Sequence, residues 1–295
     1  MSLLDYWLAP SFPPMLVTIP LHILILVTLH KYRKSNDLKT PFYRLVFSLT
    51  LNDLLVCVLM VVSMLVGHVL GLAHRYPVLF ITVDVALSYG GYIADEVMLL
   101  FIAFNRLVYL CFPMKAKAYW SKEKTITAVV VQWSLFLGFC LCWLHPAMHV
   151  QVDHSMAQPN HTFAVVYMVP VVGTDIVCAV LVPLLYVVCL VKVIHHALAV
   201  PDGNQSDNWK AQLNLSLQGS LLSSVLFCTA VQTTRRQLGL SPFFPQSLMY
   251  FLLSVPFYIN PYVLLFMSSV VRDKVRLLIT GANSQAVVVR GVRAK

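Results

Sequence analysis

The chain of 295 residues is 59% hydrophobic and only 11% charged, with a mean hydropathy of +0.76. A water-soluble domain is about 45–50% apolar and about 25% charged, so this composition excludes one and makes lipid the solvent. The formal charge of +9 does not signal nucleic acid, because the Lys and Arg fall in short segments between long apolar runs, where anionic lipid headgroups neutralise them.

A helix needs about 20 apolar residues to cross a hydrocarbon core about 30 Å thick. Seven stretches qualify, near 15–30, 42–67, 78–109, 125–145, 164–194, 211–232 and 247–271. Membrane strands would alternate in polarity over about ten residues. Neither LHILILVTL in the first run nor VVVQWSLFLGFCLCWL in the fourth alternates, so the spans are helices. The expected fold is an all-α integral membrane protein, a seven-transmembrane helix bundle over residues 1–281, with a short cytoplasmic tail at 282–295. Of the 21 Lys and Arg, only Arg75, Arg235 and Arg236 fall outside the inner side when the amino terminus is placed outside, and this bias sets the orientation.

No basic leader precedes the first span and KYRK follows it, so that helix is expected to act as its own insertion signal. The second span carries Leu51-Asn52-Asp53-Leu54-Leu55. On the third, at about 100° per residue, Ser88 aligns with Arg106, Asp95 lies about 20° from it, and Tyr92 and Asp84 lie about 40° to either side. Glu96, about 80° round, is at the margin of this stripe. Charges facing lipid are costly, so the stripe turns inward. A rise of about 1.5 Å per residue puts Asp95 roughly 16 Å from Arg106, near the bilayer midplane.

The fourth span carries Trp133 and leads to an outer link near 146–163 with one glycosylation sequon, Asn160-His161-Thr162. His145, His149 and His154 fall at or in this link, and an external pH response suits them better than a metal site. No cysteine lies in an outer loop, so no extracellular disulfide is expected. The fifth span holds Tyr167, Asp175 and Pro183, and ALAVPDGNQSDN after it reads as a flexible inner turn. Asn214, Ser216, Gln218 and Ser220 make the first half of the sixth span polar, so it should face protein or water. The seventh brings Asn260 to the depth of Asp53 and Asp95. In SSVVRDKVRLLITG beyond it, Val271, Val275 and Leu278 share one face, which predicts a short amphipathic helix on the inner surface, ended by Gly281.

Several of these residues resemble the motifs of rhodopsin-like G protein-coupled receptors. Asp53 matches their membrane-centre aspartate, Asn105-Arg106-Leu107 fills the place of the acidic-Arg-Tyr triplet, and Trp133, Pro183 and Asn260-Pro261-Tyr262 match the fourth-, fifth- and seventh-helix signatures. The chain departs from that pattern at Ile81, where a disulfide cysteine is usual, at Leu264, where a tyrosine is usual, and in the sixth-helix SVLFCTAV, which lacks both Trp and Pro. The segments VTIPLHILILVTLHKYRKSNDLKTPFYRLVFSLTLNDL and FNRLVYLCFPMKAKAYW are similar to nematode-type serpentine receptors of class V and class gamma. The resemblance implies a multi-pass chemosensory glycoprotein of the plasma membrane that couples a small-molecule or peptide ligand to a heterotrimeric G protein. It places coupling and activation on Asn105, Arg106, Asn260, Pro261 and Tyr262.

Asp53, Asp95 and Asn260 form a candidate midplane site for a sodium ion or a shared proton, because two neighbouring carboxylates in lipid cannot both stay charged without a cation. A purely structural hydrogen-bonded network is the alternative use of the same residues. Ligand contacts are expected in the outer half, at Asp84, Ser88, Tyr92, Tyr167 and Asp175. Ser88 stands where amine receptors, by resemblance, carry their aspartate, which disfavours a simple biogenic amine. Beyond the sodium ion no cofactor or metal is expected, and scattered histidines give no hydrolase constellation, so enzymatic activity is not expected. The alternative is an ion or small-solute channel or transporter using the midplane carboxylates; such proteins usually show internal repeats or broken helices, and neither is evident.

Overall fold

Prolines open two of the long helices, Pro41 and Pro77, where a fixed φ and a missing N–H cost nothing. The computed structural model describes residues 12–69, 72–144, 151–153, 156–158, 161–199, 224, 227–228, 231 and 246–281. The helices are α1 (Phe12–Lys31), α2 (Pro41–Val69), the single turn α3 (Leu72–Arg75), α4 (Pro77–Cys111), the single turn α5 (Ala116–Tyr119), α6 (Lys122–Leu144), α7 (His161–Ala199), α8 (Gln246–Met267) and α9 (Ser269–Thr280). Among the described residues, α1, α2, α6 and α7 each contain a stretch long and apolar enough to cross a membrane, and Phe257–Met267 of α8 is a shorter apolar segment. The sixth expected span falls largely outside the described residues, as do Asn160 and the tail beyond Gly281.

Three features differ from the sequence expectation, the first two in and after the link that follows α6. The link after α6 holds an antiparallel ribbon of β1 (Gln151–Asp153) and β2 (Met156–Gln158), with Val152 opposite Ala157. Helix α7 has 39 residues, a length of about 58 Å that overruns a hydrocarbon core of about 30 Å.

The distribution of polarity is the reverse of a soluble protein's. Leu16, Val17, Ile23 and Val27 of α1, Leu137 and Leu141 of α6, and Leu184, Val187 and Val191 of α7 are exposed. Thr18, His22, Asn52, Asp53, Asp95, Glu96, Gln132, Asp175 and Asn260 are all buried. Apolar outside and ionisable inside is the pattern lipid imposes, since buried carboxylates in water-soluble folds are rare.

Helix α4 is the axis of the bundle and packs against α2, α6, α7 and α8. Two adjacent glycines make this possible. A Cβ on Gly91 would lie 2.5 Å from Val56 Cγ2 and 3.2 Å from the Phe257 ring, and one on Gly90 would lie 2.9 Å from Cys140 Sγ and 3.2 Å from the Phe136 carbonyl oxygen. The pair thus lets α4 approach α2 and α8 on one side and α6 on the other, the small-residue packing typical of membrane helices. Nearer the first turns of α2 and α6, Ser48 Oγ donates to Gln132 Oε1 at 2.6 Å and accepts from Trp133 Nε1 at 3.1 Å.

The apolar run expected to continue to 271 breaks at Ser268, which is extended (φ −96°, ψ 102°) and accepts the N–H of Val271 as the cap of α9. Arg272 donates to the carbonyls of Phe266 at 2.9 Å and Leu265 at 3.4 Å, satisfying the end of α8. Val271 and Val275 are buried, Lys274 pairs with Asp37 at 3.3 Å, and Gly281 ends the helix at φ 63°.

Candidate functional site

Adjacent residues on a helix point about 100° apart, so two neighbouring acidic residues cannot share a partner. Asp95 and Glu96 obey this rule: Asp95 faces α2 and Glu96 faces α7. On the first side, Asn52 Nδ2 donates to Asp95 Oδ1 at 2.7 Å and to the Gly91 carbonyl at 3.3 Å. Asn260 Nδ2 of α8 donates to Asp53 Oδ2 at 2.8 Å. The carboxyls of Asp53 and Asp95 contact each other, while Asp53 Oδ1 and Asp95 Oδ2 find no donor among the described residues. Asp53, Asp95 and Asn260 are therefore brought together at one depth, joining α2, α4 and α8, with a fourth member, Asn52. Two ionised carboxylates can only repel, so this contact needs a proton or a cation between them.

The next turn of α8 explains a buried histidine. Pro261 has no N–H, so the Phe257 carbonyl four residues earlier loses its helical partner. His22 Nε2 of α1 lies 2.8 Å from that oxygen, and Cys57 Sγ of α2 lies 3.8 Å from it. Three helices thus converge on the carbonyl freed by one proline. Leucine at position 22 keeps the volume but leaves this carbonyl without its N–H donor. We expect His22→Leu to cost about 1–3 kcal/mol, read as a lower melting temperature of the purified protein, and His22→Gln, which keeps a donor, to lose less.

At the inner end of α4, the Arg106 guanidinium carbon lies 3.5 Å from the centre of the Phe42 ring of α2. Tyr43 of α2 and Tyr186 and Cys189 of α7 also act on it. Asn105 is buried, with neither amide atom hydrogen-bonded among the described residues. Pro261 is buried and Tyr262 half-buried beside Asn260.

In the outer half, Ser88 Oγ lies 3.9 Å from Met60 Sδ. Tyr92 and Asp175 are buried together with Glu96. The side chains of Asp84 and Tyr167 lie outside the described residues. Sequence reasoning missed Asn52, His22, Phe42 and the central place of Glu96. For His22 a signal existed: an intramembrane Pro implies an orphaned carbonyl, and a lone buried polar residue on a facing helix is its natural donor.

The sequence matches, over residues 12–280, the family described as serpentine type 7TM GPCR chemoreceptor Srv. No curated protein matches it.

Proposed function

The chain belongs to the Srv family of serpentine seven-transmembrane GPCR chemoreceptors, and from that premise we propose that it passes ligand binding in the outer half of a seven-helix bundle to a heterotrimeric G protein at the inner face of the plasma membrane. The amino terminus lies outside, as the placement of Lys and Arg favours, and Asn160 on that side is glycosylated. The family is one of receptors, and no chemistry on the ligand is invoked.

The observation that carries this reading is the setting of Arg106. It sits in the last turns of the central helix between α2 and α7, held on an aromatic face. A cation on a ring is a hold of about 0.5–2 kcal/mol, strong enough to bias one state and weak enough to release. Parting of the helices frees the guanidinium and, with Asn105, opens a polar floor for the G protein. Asn260, Pro261 and Tyr262 transmit movement of α8, since Asn260 is tied to Asp53 and the carbonyl freed by Pro261 to His22. Asp84, Ser88, Tyr92, Tyr167 and Asp175 receive the ligand.

The Asp53–Asp95 contact holds a sodium ion or a proton that stabilises the resting arrangement. Nucleotide exchange on a co-expressed G protein tests this. Membranes carrying the receptor should accelerate exchange over membranes without it. Sodium or protons should slow that acceleration, and Asp53→Asn should remove their effect. Ion flux in liposomes without any exchange would instead support a channel.

A further inference from the structure

Helix α7 meets α4 along a buried stripe with a spacing of three to four residues: Asp175, Cys178, Val182, Tyr186, Cys189 and Val193. The middle of this seam is apolar, with Cys178, Val182 and Tyr186 packed against Ala103, Val97 and Leu100. Its lower end reaches Arg106 through Tyr186 and Cys189. Its upper end is unlike the rest. There Glu96 of α4, 0% exposed, meets Asp175 of α7, 2% exposed.

Two carboxyl groups with no opposite charge are an unstable pairing in lipid. Among the described residues, both oxygens of Glu96 and Oδ1 of Asp175 face each other and Tyr92 without a well-formed hydrogen bond. Tyr92, one turn above Glu96 and 1% exposed, turns its hydroxyl on the same spot, within reach of both carboxyls but, among the described residues, without a well-formed hydrogen bond. The other titratable groups that act on the pair are Asp95 of α4 and Cys178 of α7; among the described residues none comes from α2, α6 or α8, and no ion pair reaches Glu96 or Asp175. Four unsatisfied polar atoms converging from two helices lack one thing, a positive charge.

We propose that Glu96, Asp175 and Tyr92 form a site for a single positive charge, a proton shared by the two carboxyls or a small monovalent cation, that clamps α4 to α7 and is separate from the Asp53–Asp95 contact. When filled, the charge draws the two helices together at the top of the seam. When emptied, two carboxylates repel there, and the apolar seam below carries the separation to Tyr186 and Arg106. The inference deepens the proposed function and rests on it only in reading Tyr92 and Asp175 as part of the ligand-receiving region, for which it names a positive charge as the chemistry accepted.

The test is thermal unfolding of the full-length receptor in lipid nanodiscs, in an Asp53→Asn background that silences the other contact. Midpoints are read from mildly acid to mildly alkaline pH, in choline chloride and in sodium chloride of equal strength. A proton held by the folded receptor alone makes stability fall as pH rises. We expect the midpoint to fall with pH in choline, or to rise with sodium at alkaline pH; the first identifies the proton, the second the cation. Glu96→Gln, which supplies a permanent donor, should abolish either dependence and keep the midpoint at its acid or sodium-loaded value. Tyr92→Phe should move the pH or sodium concentration at which the change occurs. Asp175→Asn serves the same purpose if Glu96→Gln does not fold. The same dependence with and without these substitutions, or no dependence in the Asp53→Asn background, overturns the proposal. Because unfolding needs no G protein, failure of this site and failure of coupling are separate results.

Discussion

Asn52→Asp is expected to be the most damaging single change in the bundle, and combining it with Asp95→Asn to recover most of the loss. Asn52 is fully buried, and among the described residues its amide is the one donor to Asp95 Oδ1, at 2.7 Å. Aspartate there replaces that donor with a third carboxyl beside Asp53 and Asp95. An uncompensated charge of this kind costs on the order of 3–5 kcal/mol, a large share of the about 5–15 kcal/mol by which a domain is stable. Exchanging the two residues restores one donor facing one acceptor across the same α2–α4 gap, and the number of carboxyls returns to two. Asn52→Leu, which only removes the hydrogen bond, should cost less, about 1.5–3 kcal/mol for a bond to a charged group. Melting temperatures of the wild type and the three purified variants in nanodiscs check the order, and a double variant no more stable than Asn52→Asp would show that the geometry does not govern the pairing.

The parts of this fold that could be read in the sequence are those with a length or depth rule behind them. A hydrocarbon core of fixed thickness demands apolar runs of fixed length, so α1, α2, α4 and α6 emerged within a few residues of their ends. Counting rise from the inner helix ends placed Asp53, Asp95 and Asn260 at one depth, and in the structure they meet. What could not be read is angular. Glu96 looked marginal because its direction was measured from Arg106, as if α4 had a lipid face at that level. Around Glu96 the helix is enclosed by α2, α6, α7 and α8, and residues 90–96 are all buried, so at that level no direction is a margin. Asn52 was hidden for the same reason, since periodicity gives its direction on α2 but not the residue it meets on α4. The break at Ser268 is not legible because the apolar run continues across it; the extended Ser268 backbone and its side-chain bond to the Val271 N–H show the chain turning there.

Removing Arg106 should have the largest functional effect. The residue is expected to serve two states: resting on the Phe42 ring in the closed bundle and lining the G-protein cleft in the open one. These roles separate by substitution. Phe42→Leu removes the resting hold but keeps the guanidinium, so basal signalling should rise; a hold of about 1.4 kcal/mol corresponds to a tenfold shift in the equilibrium. Arg106→Ala removes both, so the cleft lacks its cation whichever state dominates, and combining it with Phe42→Leu should silence the raised activity.

The most direct measurement is basal G-protein activation in cells expressing the wild type, Phe42→Leu and Arg106→Ala, with surface levels matched through an amino-terminal tag. The account predicts signal above untransfected cells from the wild type, a higher signal from Phe42→Leu, and a return to background for Arg106→Ala. An Arg106→Ala signal equal to that of the wild type and above background would contradict it, and would remove Arg106 from the mechanism.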